Sequence, residues 1–121
     1  MNTDKELLEL AARAAGICGH MRGDHFCARV DHELCKADYL WNPLVNDTYA
    51  FRLAVKLRMN VDISQMATLI YDEDHELIGA ESFLLLDGNG NEVPGKIPVD
   101  PYAATRRAIV RAAAEIGRKM K

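Results

Sequence analysis

Asp47-Thr48-Tyr49-Ala50-Phe51-Arg52-Leu53-Ala54-Val55-Lys56-Leu57 reads as a helix, and Asn60-Val61-Asp62-Ile63-Ser64, close behind it, reads as a strand. In the first stretch Ala50, Phe51, Leu53, Ala54, Val55 and Leu57 leave only a narrow polar stripe, chiefly Arg52 and Lys56. A helix apolar on most sides is a buried one. This one is therefore expected to be the most buried of the chain's helices and its central packing element. In the second stretch Val61 and Ile63 alternate with Asp62 and Ser64, the two-residue period of a strand with one face covered. Ala67 to Tyr71 is rich in β-forming types, and Asp72-Glu73-Asp74-His75 is a polar turn. A further strand is expected within Leu77 to Leu86, where the apolar run is continuous enough to suggest burial on both faces. Asp87-Gly88-Asn89-Gly90-Asn91 is turn chemistry, since Gly and Asn tolerate positive φ.

Two more helices flank this centre. Thr3 can cap a helix from Asp4 to Ala15, with Glu6 completing a capping box and Gly16 ending it. Asp100 caps the last helix, Pro101 fits its first position, and it runs to about Gly117 or beyond, with Ile109, Ala113, Ile116 and Met120 on its apolar face. Trp41-Asn42-Pro43 introduces the middle helix: the residue before a proline is pushed out of the α region, so Asn42 belongs in a turn, with Asn46 or Asp47 as cap. Residues 17–39 show no clear period and read as a long irregular surface segment containing one short edge strand around Phe26 to Val30. The expected architecture is α+β: a single-domain sandwich over residues 1–121, three helices packed on a small, mainly antiparallel β-sheet, in the order α-(β)-α-β-β-β-α.

Composition agrees. The 121 residues suit one domain, and 49% hydrophobic with 27% charged residues is an ordinary globular composition. Fifteen Lys and Arg against eighteen Asp and Glu leave a net charge of −3. That is too small for a strong field of either sign, which disfavours nucleic acid as a partner. No apolar run approaches the roughly 18 residues of a membrane span, and Met1 to Glu6 lacks the order of a signal peptide. No membrane partner and a cytoplasmic location are expected. Three cysteines without a secretion signal suggest reduced thiols.

The segments Trp41-Asn42-Pro43-Leu44 to Ala54-Val55-Lys56-Leu57 and Asp100-Pro101-Tyr102-Ala103-Ala104 to Ile109-Val110-Arg111-Ala112-Ala113, with Leu7-Leu8-Glu9-Leu10-Ala11-Ala12, resemble a family of small phage and prophage proteins. These carry a phage ABA-sandwich domain and are related to NinX-like proteins. The resemblance implies a compact α+β sandwich encoded by a phage or prophage and working in the bacterial host cytoplasm. It implies no chemistry and supplies no catalytic residues.

Several constellations have residue types that could carry chemistry. Cys18, His20, His25, Cys27, His32 and Cys35 offer six potential metal ligands within eighteen positions. Their spacings depart from the C-x₂₋₄-C pairs of structural zinc, and only His32 to Cys35 has a suitable gap. A loop with incidental histidines and reduced thiols is the favoured reading, so no metal is assigned. Cys27 beside His25, or Cys35 beside His32, is not a catalytic dyad on sequence proximity alone. Asp87-x-Asn89-x-Asn91 begins like a calcium loop but has Glu92 and Pro98 where Gly and Glu are needed. The acidic run Asp72, Glu73, Asp74 and Glu76 reads as a solvated hairpin tip. Arg106, Arg107 and Arg111 can fork onto phosphates or carboxylates, and with Trp41 and Tyr102 they form the candidate ligand-binding set. Trp41 itself is expected to anchor the core at the entrance of the middle helix.

No phosphate loop, nucleophile elbow or paired-histidine motif is present in the sequence. The expected function is that of a non-enzymatic phage accessory protein, without cofactor, acting by self-association or by binding a host or phage protein. The alternatives are a nucleotide or small-molecule binder using Arg106 and Arg107, and a zinc-stapled module at Cys18 to Cys35.

Overall fold

The computed structural model describes residues 3–23, 25–28, 39–64, 67–82 and 100–120. Along them run α1 (Asp4–Ala15), β1 (Gly19–Arg22), β2 (His25–Ala28), β3 (Tyr39–Leu40), α2 (Asp47–Lys56), β4 (Asn60–Ile63), β5 (Ala67–Tyr71), β6 (Leu77–Ser82) and α3 (Pro101–Lys119). The class is α+β. The strands form two antiparallel sheets, β1-β2-β3 and β4-β5-β6, rather than the one small sheet expected.

Helix boundaries follow from their caps. Thr3 Oγ1 accepts the Glu6 N–H at 3.2 Å, and Gly16, at φ +72°, takes the left-handed turn that ends α1. Asn46, not Asp47, caps α2, its Oδ1 accepting the Tyr49 N–H at 3.1 Å. Asp100 Oδ1 accepts the Tyr102 N–H at 3.0 Å, with Pro101 in the first turn of α3.

The core runs along α3. Ala104, Ala108, Ile109, Val110, Ala112, Ala113, Ala114 and Gly117 are buried on it, against Leu7, Leu8, Ala11, Ala12 and Ala15 of α1. Small side chains let the backbones come close: a Cβ at Gly117 would overlap the Leu10 carbonyl oxygen. On the other side β6 slides beneath α3 at Gly79, where a Cβ would stand 2.9 Å from the Ala108 carbonyl oxygen and 3.1 Å from the Ala112 Cβ. Strand β5 is the middle of its sheet and turns Thr68 and Ile70 inward. The Thr68 hydroxyl is hydrogen-bonded to that of Thr105 on α3 at 2.7 Å, so the buried polar group is satisfied.

Four expectations are corrected. First, residues 17–39 are not uniformly irregular, because β1 and β2 form a hairpin inside them. Its register sets Arg22 opposite His25, leaving a two-residue connection that begins with Gly23 at φ +61°. Phe26, Cys27 and Ala28 are buried, so β2 is the middle strand of its sheet and not an edge. Weak β-formers such as Gly19, His20 and His25 hid the period; Gly23, a residue type that tight hairpin turns favour, was its readable sign. Residues 29–38 lie outside the described residues. Second, α2 is not the most buried helix. It buries only Ala50, Leu53 and Ala54, and α3 holds the central place. Third, β6 is not covered on both faces, since Leu77 and Ala80 are exposed. The densest apolar stretch, Phe83 to Leu86, and the turn at Asp87 to Asn91 lie outside the described residues. Fourth, Met120 follows the end of α3 and is exposed rather than part of its apolar face.

Trp41 does anchor the core. It is 3% exposed, its backbone N–H donates to the Phe26 carbonyl at 2.9 Å, and its ring meets Phe26 edge-on at 5.8 Å between centroids.

Candidate binding site

Helix α2 enters from an Asn42 turn, where Asn42 Oδ1 accepts the Leu44 N–H at 3.0 Å. It leaves through a Schellman closure in which Met59 N–H reaches the Ala54 carbonyl at 2.9 Å and Arg58 N–H reaches that of Val55 at 3.2 Å. Arg58 occupies the left-handed position of this closure, at φ +53°. Glycine is the usual residue there, and a side chain costs about 1–2 kcal/mol. The turn leads into β4, whose alternation places Val61 and Ile63 on one face.

These elements enclose an open groove of about 680 Å³ between α2, β4 and the first turns of α3. Its apolar walls are large side chains left in solvent: Phe51 is 68% exposed, Val55 60%, Ile63 60% and Tyr102 71%. Ala50, Ala54 and Ile109, all buried, line the groove with them. Scattered exposed hydrophobics need no explanation, but a contiguous patch drawn from three elements marks an interaction surface. Charge sits at its ends. Asp47 stands at the start of α2 and Arg58 at its close.

The arginines proposed from sequence do not converge on this groove. Arg106 lines it, yet its guanidinium is bound within the fold, Nε donating to the Leu44 carbonyl at 2.9 Å and Nη1 to Asp47 Oδ1 at 2.7 Å. That pair ties α3 to the entrance of α2. Arg107 and Arg111 point elsewhere: Arg107 reaches Asp4 at 3.0 Å and lies 3.9 Å from Glu81, and Arg111 reaches Glu81 at 2.7 Å. They link α3 to α1 and β6. Trp41 lines a third place, a cleft of about 260 Å³ with Tyr49, Arg52, Leu53 and Lys56. Of the five candidate residues only Tyr102 and Arg106 line the groove.

The Cys/His set is likewise divided. Cys18 is exposed and Cys27 buried, with Cys27 opposite His20 in the hairpin register. His32 and Cys35 lie outside the described residues, as does the side chain of His25. Among the described residues no group of three or more His, Cys, Asp or Glu side chains is placed to hold a metal ion. The acidic tip is used by the backbone, since Asp72 Oδ1 accepts the N–H groups of Asp74 and Glu76, both at 2.9 Å.

Phe51, Val55 and Ile63 escaped sequence reasoning as site residues because they were assigned to the core. The available signal was excess: α2 carries more apolar surface than one side of a helix in a small domain can hide.

No family model matches the chain, and no curated protein or solved structure is detectably similar to it.

Proposed function

We propose that this is a phage or prophage accessory protein of the bacterial host cytoplasm that acts by binding protein rather than by catalysis, with the groove between α2, α3 and β4 as its binding surface. The carrying observation is the joint exposure of Phe51, Val55, Ile63 and Tyr102 around one concavity. Full burial of each such side chain is worth roughly 1.5–3 kcal/mol. Four together give a gross gain on the scale of the 4–15 kcal/mol that association costs, by order of magnitude. The phage origin is supported by the resemblance at Trp41 to Leu44, in α2 and in α3. A cytoplasmic setting fits the helices, none of which, among the described residues, is long and apolar enough to cross a membrane.

The arginines favour this reading over nucleotide binding, because Arg106, Arg107 and Arg111 each already face a carboxylate of the chain itself. A titration with the apolar fluorophore 1-anilinonaphthalene-8-sulfonate at low protein concentration tests the proposal. Saturable fluorescence enhancement by the folded protein is expected, with at least about a tenfold loss of affinity in Phe51→Ser. Absence of saturable binding, indifference to Phe51→Ser, or useful turnover of nucleotides, esters or peptides would overturn it.

A further inference from the structure

Resting on that reading of the groove, we infer that its occupant is a second copy of this chain, with α2 lying antiparallel to α2 across a two-fold axis. A two-fold interface must be self-complementary: if residue i meets residue j, then j meets i. The groove side of α2 meets that condition. Asp47 stands at one end, Arg58 at the other, and Phe51 and Val55 lie between them four positions apart. Both pairs share a midpoint, at Leu53, to within about half a residue, which is a small fraction of a helical turn. Inverting a second α2 about that point brings Phe51 of each copy against Val55 of the other and Asp47 of each against Arg58 of the other. A parallel arrangement would instead oppose like charges.

The charges are positioned for the exchange. Arg58 makes no ion pair among the described residues, and its left-handed backbone puts an arginine at the groove's mouth where glycine would close the helix with less strain. Asp47 keeps 72% of its side chain in solvent even while bonded to Arg106, so its carboxylate can take a second cation. Ile63 and Tyr102 flank the apolar pair from β4 and α3, widening the surface that a second helix would cover.

Sedimentation equilibrium of the full chain from about 1 μM to about 1 mM should show a reversible monomer–dimer transition. Val55→Asp should weaken it by about 30-fold or more, a carboxylate then facing Phe51 across the axis. Arg58→Asp and Asp47→Lys, each alone, should weaken it about tenfold or more, because each sets like charges in contact twice. An equimolar mixture of these two variants should recover association as a heterodimer, since each new charge then meets its opposite. Circular dichroism of every variant confirms that the fold is kept. A chain that stays monomeric throughout, a dimer indifferent to Val55→Asp, or a mixture that fails to recover would overturn the inference. A monomer that still binds the fluorophore at Phe51 removes the second copy but keeps the groove as a binding surface, whereas a monomer that binds none removes both.

Discussion

Helix α3 has two apolar neighbours that are treated in opposite ways. Toward α1 the contact is close: a Cβ at Gly117 would overlap the Leu10 carbonyl oxygen, and Ala113, Ala114 and Gly117 on α3 are buried, as are Leu7, Leu8, Ala11 and Ala15 on α1. Toward α2 the side chains are larger and the space is open, so Phe51 and Tyr102 stand mostly in solvent beside buried Ala54 and Ile109. Apolar character is similar on both sides of α3, but only the α1 side is complementary in shape. Close packing requires matched volumes as well as apolar atoms, and the α2 side lacks the matching half within the described residues.

The sharpest way to break the comparison is to damage the α1–α3 seam. Leu8, 1% exposed, should lose about 2–5 kcal/mol on Leu8→Ala, the range for a buried leucine whose surroundings relax only in part. Gly117→Ala should be destabilising by about 1–3 kcal/mol, because the new methyl meets the Leu10 backbone carbonyl, which has no rotamer with which to retreat. Alanine's better helix propensity offsets only about 1 kcal/mol of that strain. Urea unfolding followed by circular dichroism measures both. Losses below about 1 kcal/mol in each would mean that the two helices can slide apart freely, and the contrast with α2 would lapse.

How much of this was legible beforehand depended on whether a signal was local. The helix ends at Thr3, Gly16, Asp100 and Pro101 could be read directly, because a cap is a bond between near neighbours in sequence. Strand β5 was legible too, from its run of β-formers at Ala67 to Tyr71. The β1–β2 hairpin was not, since His20, Cys27 and the flanking glycines carry little β preference and β2 is covered by α1 and by Trp41, contacts that are distant in sequence. The site failed for a similar reason. Phe51 and Val55 are as apolar as Leu53, and no local property of α2 records which of them has a neighbour. The arginines of α3 illustrate the converse: their residue types suited an anion site, yet Asp4, Asp47 and Glu81 arrive from three other elements to pair with them.

A smaller effect is expected where α3 meets β5. Thr68 is fully buried and bonded to Thr105. Thr68→Val keeps the shape but leaves the Thr105 hydroxyl without that partner, for an expected loss of about 1–2 kcal/mol. Adding Thr105→Val should recover most of the loss, because both polar groups are then removed together. The coupling in this double-mutant cycle is the measured quantity. Additive losses would show that the two hydroxyls act independently, and the bond would then not be what joins β5 to α3.

The smallest expected change in stability belongs to the groove, and it is the most informative because the residue is so large. A phenylalanine that belongs to a core costs about 3–5 kcal/mol when truncated, whereas surface changes fall within about 0.5 kcal/mol. With 68% of its surface exposed, Phe51 should behave as a surface residue: Phe51→Ser is expected to shift monomer stability by no more than about 0.5 kcal/mol, the two residues having nearly equal helix propensity. The measurement must be made at low protein concentration, since any association through the groove adds concentration-dependent stability that the variant would forfeit. Read against Leu8→Ala under identical conditions, a near-zero result places the apolar surface of α2 outside the folding core and leaves it free for a partner. A loss above about 2 kcal/mol would instead make Phe51 a structural residue and remove the distinction between the two sides of α3.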